Sequence, residues 1–289
     1  MENKIHQINC PLCDSENSTF FAEKRGFRLY KCLKCKLLFI YPHLTQSPSV
    51  YDKSYFTGAE KGFGYVDYDT DKSAMIPTFQ KYMDIINFLG ISSGRLLDVG
   101  AATGFFMGLA EKRGFETIGV EISDFAAKIG RAKGHNIITG KIFDPEFPDG
   151  YFDVVTMFDV LEHVIQPKAV LSEVHRILKK KGLLVINTPD AESLWAKAFG
   201  VHWQLIMPPE HINYFSPRNL SMYLEKSGFK VEVSTKIGKK FTLQYIMKML
   251  YKWQGFRIFL LPVFSNWPFS KIYLPINLRD NFFMVVRKE

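Results

Sequence analysis

The 289-residue chain carries 37 Lys and Arg against 29 Asp and Glu, a net charge of +8, and is 47% hydrophobic and 23% charged. That balance supports a sizeable core and excludes a wholly disordered chain. The basic residues are scattered, with short runs only at Lys179–Lys181 and Lys239-Lys240, so no nucleic-acid partner is expected.

The opening residues, MENKIHQINC, hold no apolar stretch of the kind a secretory leader needs, and no run approaches the roughly 20 apolar residues of a membrane span. A cytoplasmic location is the expectation. All four cysteines fall in the first 35 residues, as Cys10-Pro-Leu-Cys13 and Cys32-Leu-Lys-Cys35, eighteen residues apart. In a reducing compartment such pairs bind metal rather than form disulfides. A two-residue gap lets both sulfurs of a pair face one ion, and the stretch between, with Phe20-Phe21-Ala22 and Phe27 to Lys31, has the pattern of a hairpin returning the second pair to the first. Four thiolates close a tetrahedral shell, so a structural zinc is expected on Cys10, Cys13, Cys32 and Cys35. Residues 1–45 are read as a zinc-ribbon knuckle.

From residue 90 short apolar runs and helical periodicities alternate. Arg95–Val99 reads as a strand, Gly100–Gly104 as a glycine turn and Phe105–Arg113 as a helix. Glu116–Glu121 is a second strand, followed by a helix through Ala126-Ala127 and a short strand at Asn136–Thr139. Phe152–Met157 is another apolar run, Pro167–Leu178 has helical spacing, and Leu183–Asn187 is strand-like. This alternation predicts an α/β fold with a doubly wound, Rossmann-like parallel sheet, binding its ligand at the carboxyl ends of the strands. The final strand, Asn281–Arg287, is expected to rejoin the sheet at its edge.

The first turn decides the cofactor class. A dinucleotide fingerprint would place a glycine at position 102, where Ala102 stands, and Asp98 two residues before Gly100 would repel a pyrophosphate. S-adenosylmethionine carries an ammonium and a sulfonium and no phosphate, so an acidic glycine turn suits it. Glu121, ending the second strand, is positioned to accept hydrogen bonds from ribose hydroxyls, a role that would suit a nicotinamide cofactor equally well.

With those residues, the chain resembles the class I S-adenosylmethionine-dependent methyltransferases, in particular bacterial members that begin with a zinc ribbon. The segment Leu97-Asp98-Val99-Gly100-Ala-Ala-Thr-Gly104-Phe105-Phe106 is similar to their first motif. The segment Phe147 to Val164, with Asp159-Val-Leu-Glu162-His163, is similar to a signature of ubiquinone-biosynthesis methyltransferases. Pro208-Pro-Glu210-His211-Ile-Asn-Tyr-Phe-Ser216 and Leu224 to Phe229 also match the family pattern. The resemblance implies a seven-stranded methyltransferase sheet over residues 91–289 and a helical lid or linker over 46–90. It implies that Gly100, Ala101, Thr103, Gly104 and Phe105 cradle the methionine moiety, that Glu121 and Ile122 meet the ribose and its surroundings, and that Phe158 and Asp159 line the cofactor near the sulfonium. Where family members often carry an acid for the adenine amino group this chain has Lys141, so the backbone at Ile142-Phe143 or the side chain of Asp144 is expected to substitute. Tyr65 and Tyr68 are candidate lid contacts.

Transfer from a sulfonium needs positioning, plus a base where the nucleophile is a hydroxyl. His211, in a Pro-rich loop after the fifth strand and beside Glu210, is the preferred base. His163, next to Glu162, is a further candidate that could instead tie strand to helix, and His202 is a weaker acceptor contact. Residues 239–278 break the alternation: Lys239–Trp253 reads as a helix in which apolar and basic residues interleave, suited to a membrane surface, an acceptor cap or an oligomer contact. The expected activity is methylation of a small-molecule, sugar or lipid-linked glycan acceptor, at oxygen, with methylation of a sugar carbon as the alternative. A non-catalytic zinc-ribbon and Rossmann binding protein, and a nicotinamide oxidoreductase, are the rival classes.

Overall fold

The computed structural model describes residues 5–42, 72–73, 75–237 and 279–289, together with the backbone of 239–242 and 273–276. The N-terminal segment forms β1 (Ile5–Gln7), β2 (Asn17–Lys24), β3 (Phe27–Cys32) and β4 (Leu38–Tyr41), each antiparallel to the next. Arg25 and Gly26 turn the β2–β3 hairpin with φ of 53° and 78°, the paired positive values of a two-residue turn matched to strand twist.

The helix α1 (Ile76–Phe88) starts with Pro77 in its first turn, where the missing N–H has no helical partner to lose. Its buried face, Phe79, Tyr82, Met83 and Ile86, has the spacing of an amphipathic helix lying on a sheet. Strand and helix then alternate: β5 (Gly94–Val99), α2 (Phe105–Glu111), β6 (Phe115–Glu121), α3 (Asp124–Ala132), β7 (Ile137–Thr139), β8 (Phe152–Phe158), α4 (Pro167–Ile177) and β9 (Leu178–Pro189). The chain continues through α5 (Leu194–Phe199), β10 (Asn213–Tyr214), α6 (Pro217–Lys226), β11 (Phe229–Thr235), β12 (Lys239–Thr242), β13 (Tyr273–Ile276) and β14 (Asn281–Lys288). Ser123 caps α3 through the Ala126 amide, and Ser216 and Asn219 form a reciprocal capping box at α6, which satisfies amides that the first helical turn leaves open.

Seven strands make one sheet in the order β11-β14-β9-β8-β5-β6-β7. The five strands β5 to β9 are parallel, and β14 runs antiparallel to both its neighbours. Core residues divide by face. Leu97, Val155, Met157, Leu184 and Ile186 pack with α4 and α6, whereas Leu96, Val154, Leu183 and Val185 pack with α1 and α2. From β5 the chain moves outward through β6 and β7, then returns to β8 on the other side of β5. That reversal opens a crevice at the carboxyl ends of β5 and β8.

Two expectations are corrected. The final strand does not lie at the sheet edge; β14 is inserted between β9 and β11, and β11 is the edge. Phe282, Phe283, Met284, Val285 and Val286 are all fully buried. Burying each such side chain stabilises the fold by roughly 1.5–3 kcal/mol, so an unbroken apolar run belongs inside a sheet covered on both faces. Residues 239–242 are not the start of a helix: they form β12, paired antiparallel with β13. Most of the predicted helix, and of the 239–278 insertion, lies outside the described residues.

The N-terminal sheet does not end with the N-terminal segment. Its order is β1-β2-β3-β4-β10, with Phe39 opposite Asn213 and Leu38 opposite Tyr214. Cys10, Leu12, Cys32, Cys35, Leu37 and Phe39 share a hydrophobic cluster with Leu161, Leu171 and Phe215 of the large unit.

Candidate active site

The turn after β5 is held against β6 by the Gly100 and Ala101 amides, which donate to the Val120 carbonyl at 2.8 and 3.2 Å. Gly100 has φ 76° and Gly104 φ 77°, a region open to glycine at no steric cost. A Cβ on Gly100 would come within 2.5 Å of Val160, and one on Gly104 within 2.3 Å of the His135 ring. Both positions therefore require glycine. Ala101 packs behind the turn with Met107, Ala127 and Ile137. Thr103 is buried and its carbonyl accepts from Lys133 at 3.3 Å. Phe105 opens α2, 6.3 Å from Phe79.

Asp98 is 4% exposed and accepts a 2.6 Å hydrogen bond from Thr156. Burial, opposed by that bond and reinforced by the charge of Glu121, pushes its carboxyl up to about 7. A carboxylate in that state is ionised most readily when a cation arrives beside it. Glu121 is also buried, and its two oxygens accept the Ala102 and Ser123 amides at 2.8 Å each; burial raises its pKa. Each oxygen keeps a second lone pair, so the pair of hydroxyls on a ribose would still find acceptors. Ile122 and Phe143, at the carboxyl edge, are 43% and 41% exposed, apolar surfaces suited to the faces of an adenine. The Asp144 carboxylate closes its own turn by accepting the Lys141 amide at 2.7 Å.

Phe158 ends β8 among Phe79, Tyr82 and Phe106. Asp159 follows with φ 56°, its amide bonded to the Asn187 carbonyl at 2.8 Å. The Asn187 side chain donates to the Asp159 carboxylate at 2.7 Å and accepts from the Tyr82 hydroxyl at 3.2 Å. The chain Tyr82–Asn187–Asp159 thus fixes the carboxylate at the mouth of the crevice.

Glu162, His163 and His211 come together at the next turn, and their ligand atoms all lie within 4.8 Å of one another. Glu162 is 2% exposed and accepts from the Thr188 hydroxyl at 2.8 Å. His163 Nδ1 lies 2.7 Å from the Glu210 carbonyl and His211 Nδ1 2.8 Å from the Leu205 carbonyl. A carbonyl only accepts, so each Nδ1 carries a hydrogen, and in the neutral form of either ring the lone pair falls on Nε2. The two rings meet edge-on at 4.8 Å. Burial holds His163 below its ordinary pKa, leaving it neutral at physiological pH. Two imidazole lone pairs and a carboxylate are also a donor set that would admit a divalent cation.

At the N-terminus Cys10 and Cys35 sulfurs are 3.5 Å apart and Cys13 and Cys32 sulfurs 3.7 Å, all four within 4.8 Å. Tetrahedral zinc with bonds near 2.3 Å separates its sulfurs by about 3.8 Å, so the four thiols fit that ion. Each knuckle turns alike: Asp14 and Lys36 donate back to the Cys10 and Cys32 carbonyls at 3.1 Å and have φ 56° and 66°.

Tyr65 and Tyr68 lie outside the described residues. His202 is exposed, on a short turn, and is not brought to the histidine pair. The sequence reading missed Tyr82, Thr156 and Asn187. A threonine inside Val-Val-Thr-Met and an asparagine closing an apolar strand were the available signals, since polar side chains in buried strands are placed for a partner.

A family model described as a methyltransferase domain matches residues 77–233. An uncharacterized protein of Methanocaldococcus jannaschii is 33% identical over 140 residues, covering 48% of this chain and 66% of that protein. A ubiquinone biosynthesis O-methyltransferase of Pseudomonas aeruginosa is 27% identical over 158 residues, covering 50% of this chain and 67% of that one. The chain therefore spans about two thirds of the length of these relatives. A solved structure of an S-adenosylmethionine-dependent methyltransferase from Archaeoglobus fulgidus superposes with a TM-score of 0.51 at 21% identity, over 74% of this chain and 94% of that one.

Proposed function

The chain belongs to the methyltransferase-domain family, as a class I S-adenosylmethionine-dependent methyltransferase, and from that premise we propose that it methylates a hydroxyl of a small molecule with His211 as general base. One observation carries the reading: His211 Nδ1 donates to the Leu205 carbonyl, so a proton taken by the ring would go to Nε2. When bound, S-adenosylmethionine supplies an electrophilic methyl group on a sulfonium. Asp98 and the glycine turn hold the charged end, Glu121 the ribose, and Ile122 and Phe143 the adenine. Asp159, fixed by Asn187, would stand near the sulfonium. The acceptor oxygen gives its proton to His211 and takes the methyl carbon as the carbon–sulfur bond breaks. The charge left on His211 is met by Glu162, while Glu210 and His163 brace the loop.

Methylation at oxygen is supported by the relative named for O-methylation in ubiquinone biosynthesis. A sugar or lipid-linked glycan as acceptor rests on the resemblance of the motifs alone, and a sugar carbon is the alternative site. The division into a zinc-ribbon knuckle at 1–45, a lid or linker at 46–90 and a catalytic unit at 91–289 belongs to the same reading. So do a structural zinc on the four cysteines, a cytoplasmic location and a peripheral membrane contact through 239–278; no helix among the described residues is long and apolar enough to cross a membrane.

The test is turnover of parent and His211→Ala protein across a panel of catechols, sugar nucleotides and lipid-linked sugars, with cofactor affinity measured alongside. Loss of a general base costs about 100- to 10,000-fold in turnover, with cofactor binding kept. Normal turnover by His211→Ala would remove the base assignment.

A further inference from the structure

The loop that carries His211 is not held by the methyltransferase unit alone. Lys24 Nζ, at the tip of the β2–β3 hairpin, donates to the Val201 carbonyl at 2.8 Å and to the Trp203 carbonyl at 3.3 Å. Arg25 donates to the Pro208 carbonyl at 3.4 Å and pairs with the Glu210 carboxylate at 3.7 Å. These contacts bracket Leu205, whose carbonyl holds the His211 ring. Beyond the histidine, Ile40 of β4 donates to the Ile212 carbonyl at 3.0 Å. Leu29, Leu38 and Ile40 of the hairpin sheet share a cluster with Trp203, Ile206, Ile212 and Tyr214. The loop from 201 to 214 is therefore fastened to the four-cysteine unit at both ends and along its apolar side.

The chemical consequence lies in the tautomer. An imidazole in water favours a hydrogen on Nε2, whereas the Leu205 carbonyl demands one on Nδ1. The position of that carbonyl thus decides which nitrogen offers a lone pair. We infer that Lys24 and Arg25 are positioning residues for methyl transfer: through the 201–210 loop the hairpin of the four-cysteine unit aims His211 and selects its Nδ1–H tautomer. The unit is then part of the acceptor side of the active site rather than an appendage. This inference rests on the reading of His211 as base for its role in turnover, but not for the coupling itself.

The test uses the full chain with Lys24→Met and Arg25→Gln together, and Lys24→Arg with Arg25→Lys as the conservative pair. Histidine nitrogen resonances report the His211 tautomer, and amide exchange reports the loop through Trp203, Ile206, His211 and Ile212, whose amides are bonded within it, to Gly200 or to Glu162. In the parent His211 is expected as a single Nδ1–H species. In the first pair the Nε2–H species appears and the loop amides exchange faster, while β5 and β6 keep their protection and S-adenosylhomocysteine binds as before. The conservative pair restores the parent signals. An unchanged tautomer and unchanged loop exchange in the first pair would overturn the inference, as would a parent His211 with its hydrogen on Nε2. If His211→Ala turns over normally while the tautomer still follows the hairpin, the base assignment fails and the coupling stands.

Discussion

The backbone carbonyl of Glu210 accepts the Nδ1 hydrogen of His163 at 2.7 Å. Through that bond the turn after β8 is tied to the loop that carries His211. The Ile212 amide repeats the link by donating to the Glu162 carbonyl at 2.9 Å, and the Asn213 side chain by donating to the Val164 carbonyl at 2.6 Å. The turn after β8 and the loop that carries His211 are thus one hydrogen-bonded assembly.

Asp98 makes cofactor affinity depend on pH. Its carboxyl, raised to about 7 by burial, must ionise to meet a cationic ligand. Calorimetry should find affinity for S-adenosylmethionine rising with pH to about 7 and level above, with a proton released on binding below that point. Asp98→Asn should flatten the profile and weaken binding. The same shift acts on the cofactor-free fold with the opposite sign: the raised carboxyl stabilises most below its unfolded value and loses that contribution as pH rises through about 7. Cofactor-free Asp98→Asn should therefore be more stable to unfolding than the parent at pH 8, by up to a few kcal/mol. A pH-independent parent affinity contradicts the assignment.

Glu121 supplies two acceptors to the turn itself. Glu121→Gln turns one of them into a donor facing the Ala102 or Ser123 amide, which leaves a buried amide without its bond at a cost of about 1–3 kcal/mol. Thermal melting should fall accordingly and cofactor affinity should drop at least about tenfold. Unchanged affinity would mean that the ribose binds elsewhere.

The cysteine cluster predicts metal content. Protein purified without chelator should hold about one zinc per chain, and Cys13→Ser should reduce it. Because the cysteines share a cluster with Leu161, Leu171 and Phe215, zinc removal should lower the melting temperature of the whole molecule. A second metal lost in Glu162→Gln but kept in Cys13→Ser would belong to the Glu162–His163–His211 set.

Much of this was legible from residue order alone. The acidic turn Asp98 to Gly104 declared a strand and a tight turn together, because only glycine fits two of its positions. The C-x2-C pairs declared the approach of four sulfurs in the small unit. The place of β14 was hidden, since an apolar strand says that both faces are covered and not which strands flank it. The grouping of Glu162, His163 and His211 was hidden too, with 47 residues between the two histidines. Least visible was the grip of Lys24 and Arg25 on the 201–210 loop, because side chains bonded to backbone carbonyls leave no pattern at the receiving end.

Methylation at oxygen with His211 receiving the proton is tested most directly by transfer of a carbon-13 methyl group from labelled cofactor, followed by nuclear magnetic resonance of the product. A methoxy signal is expected from the parent and none at comparable rate from His211→Ala protein that still binds cofactor. A methyl group found on carbon, or the same methoxy product formed as fast without His211, would contradict it.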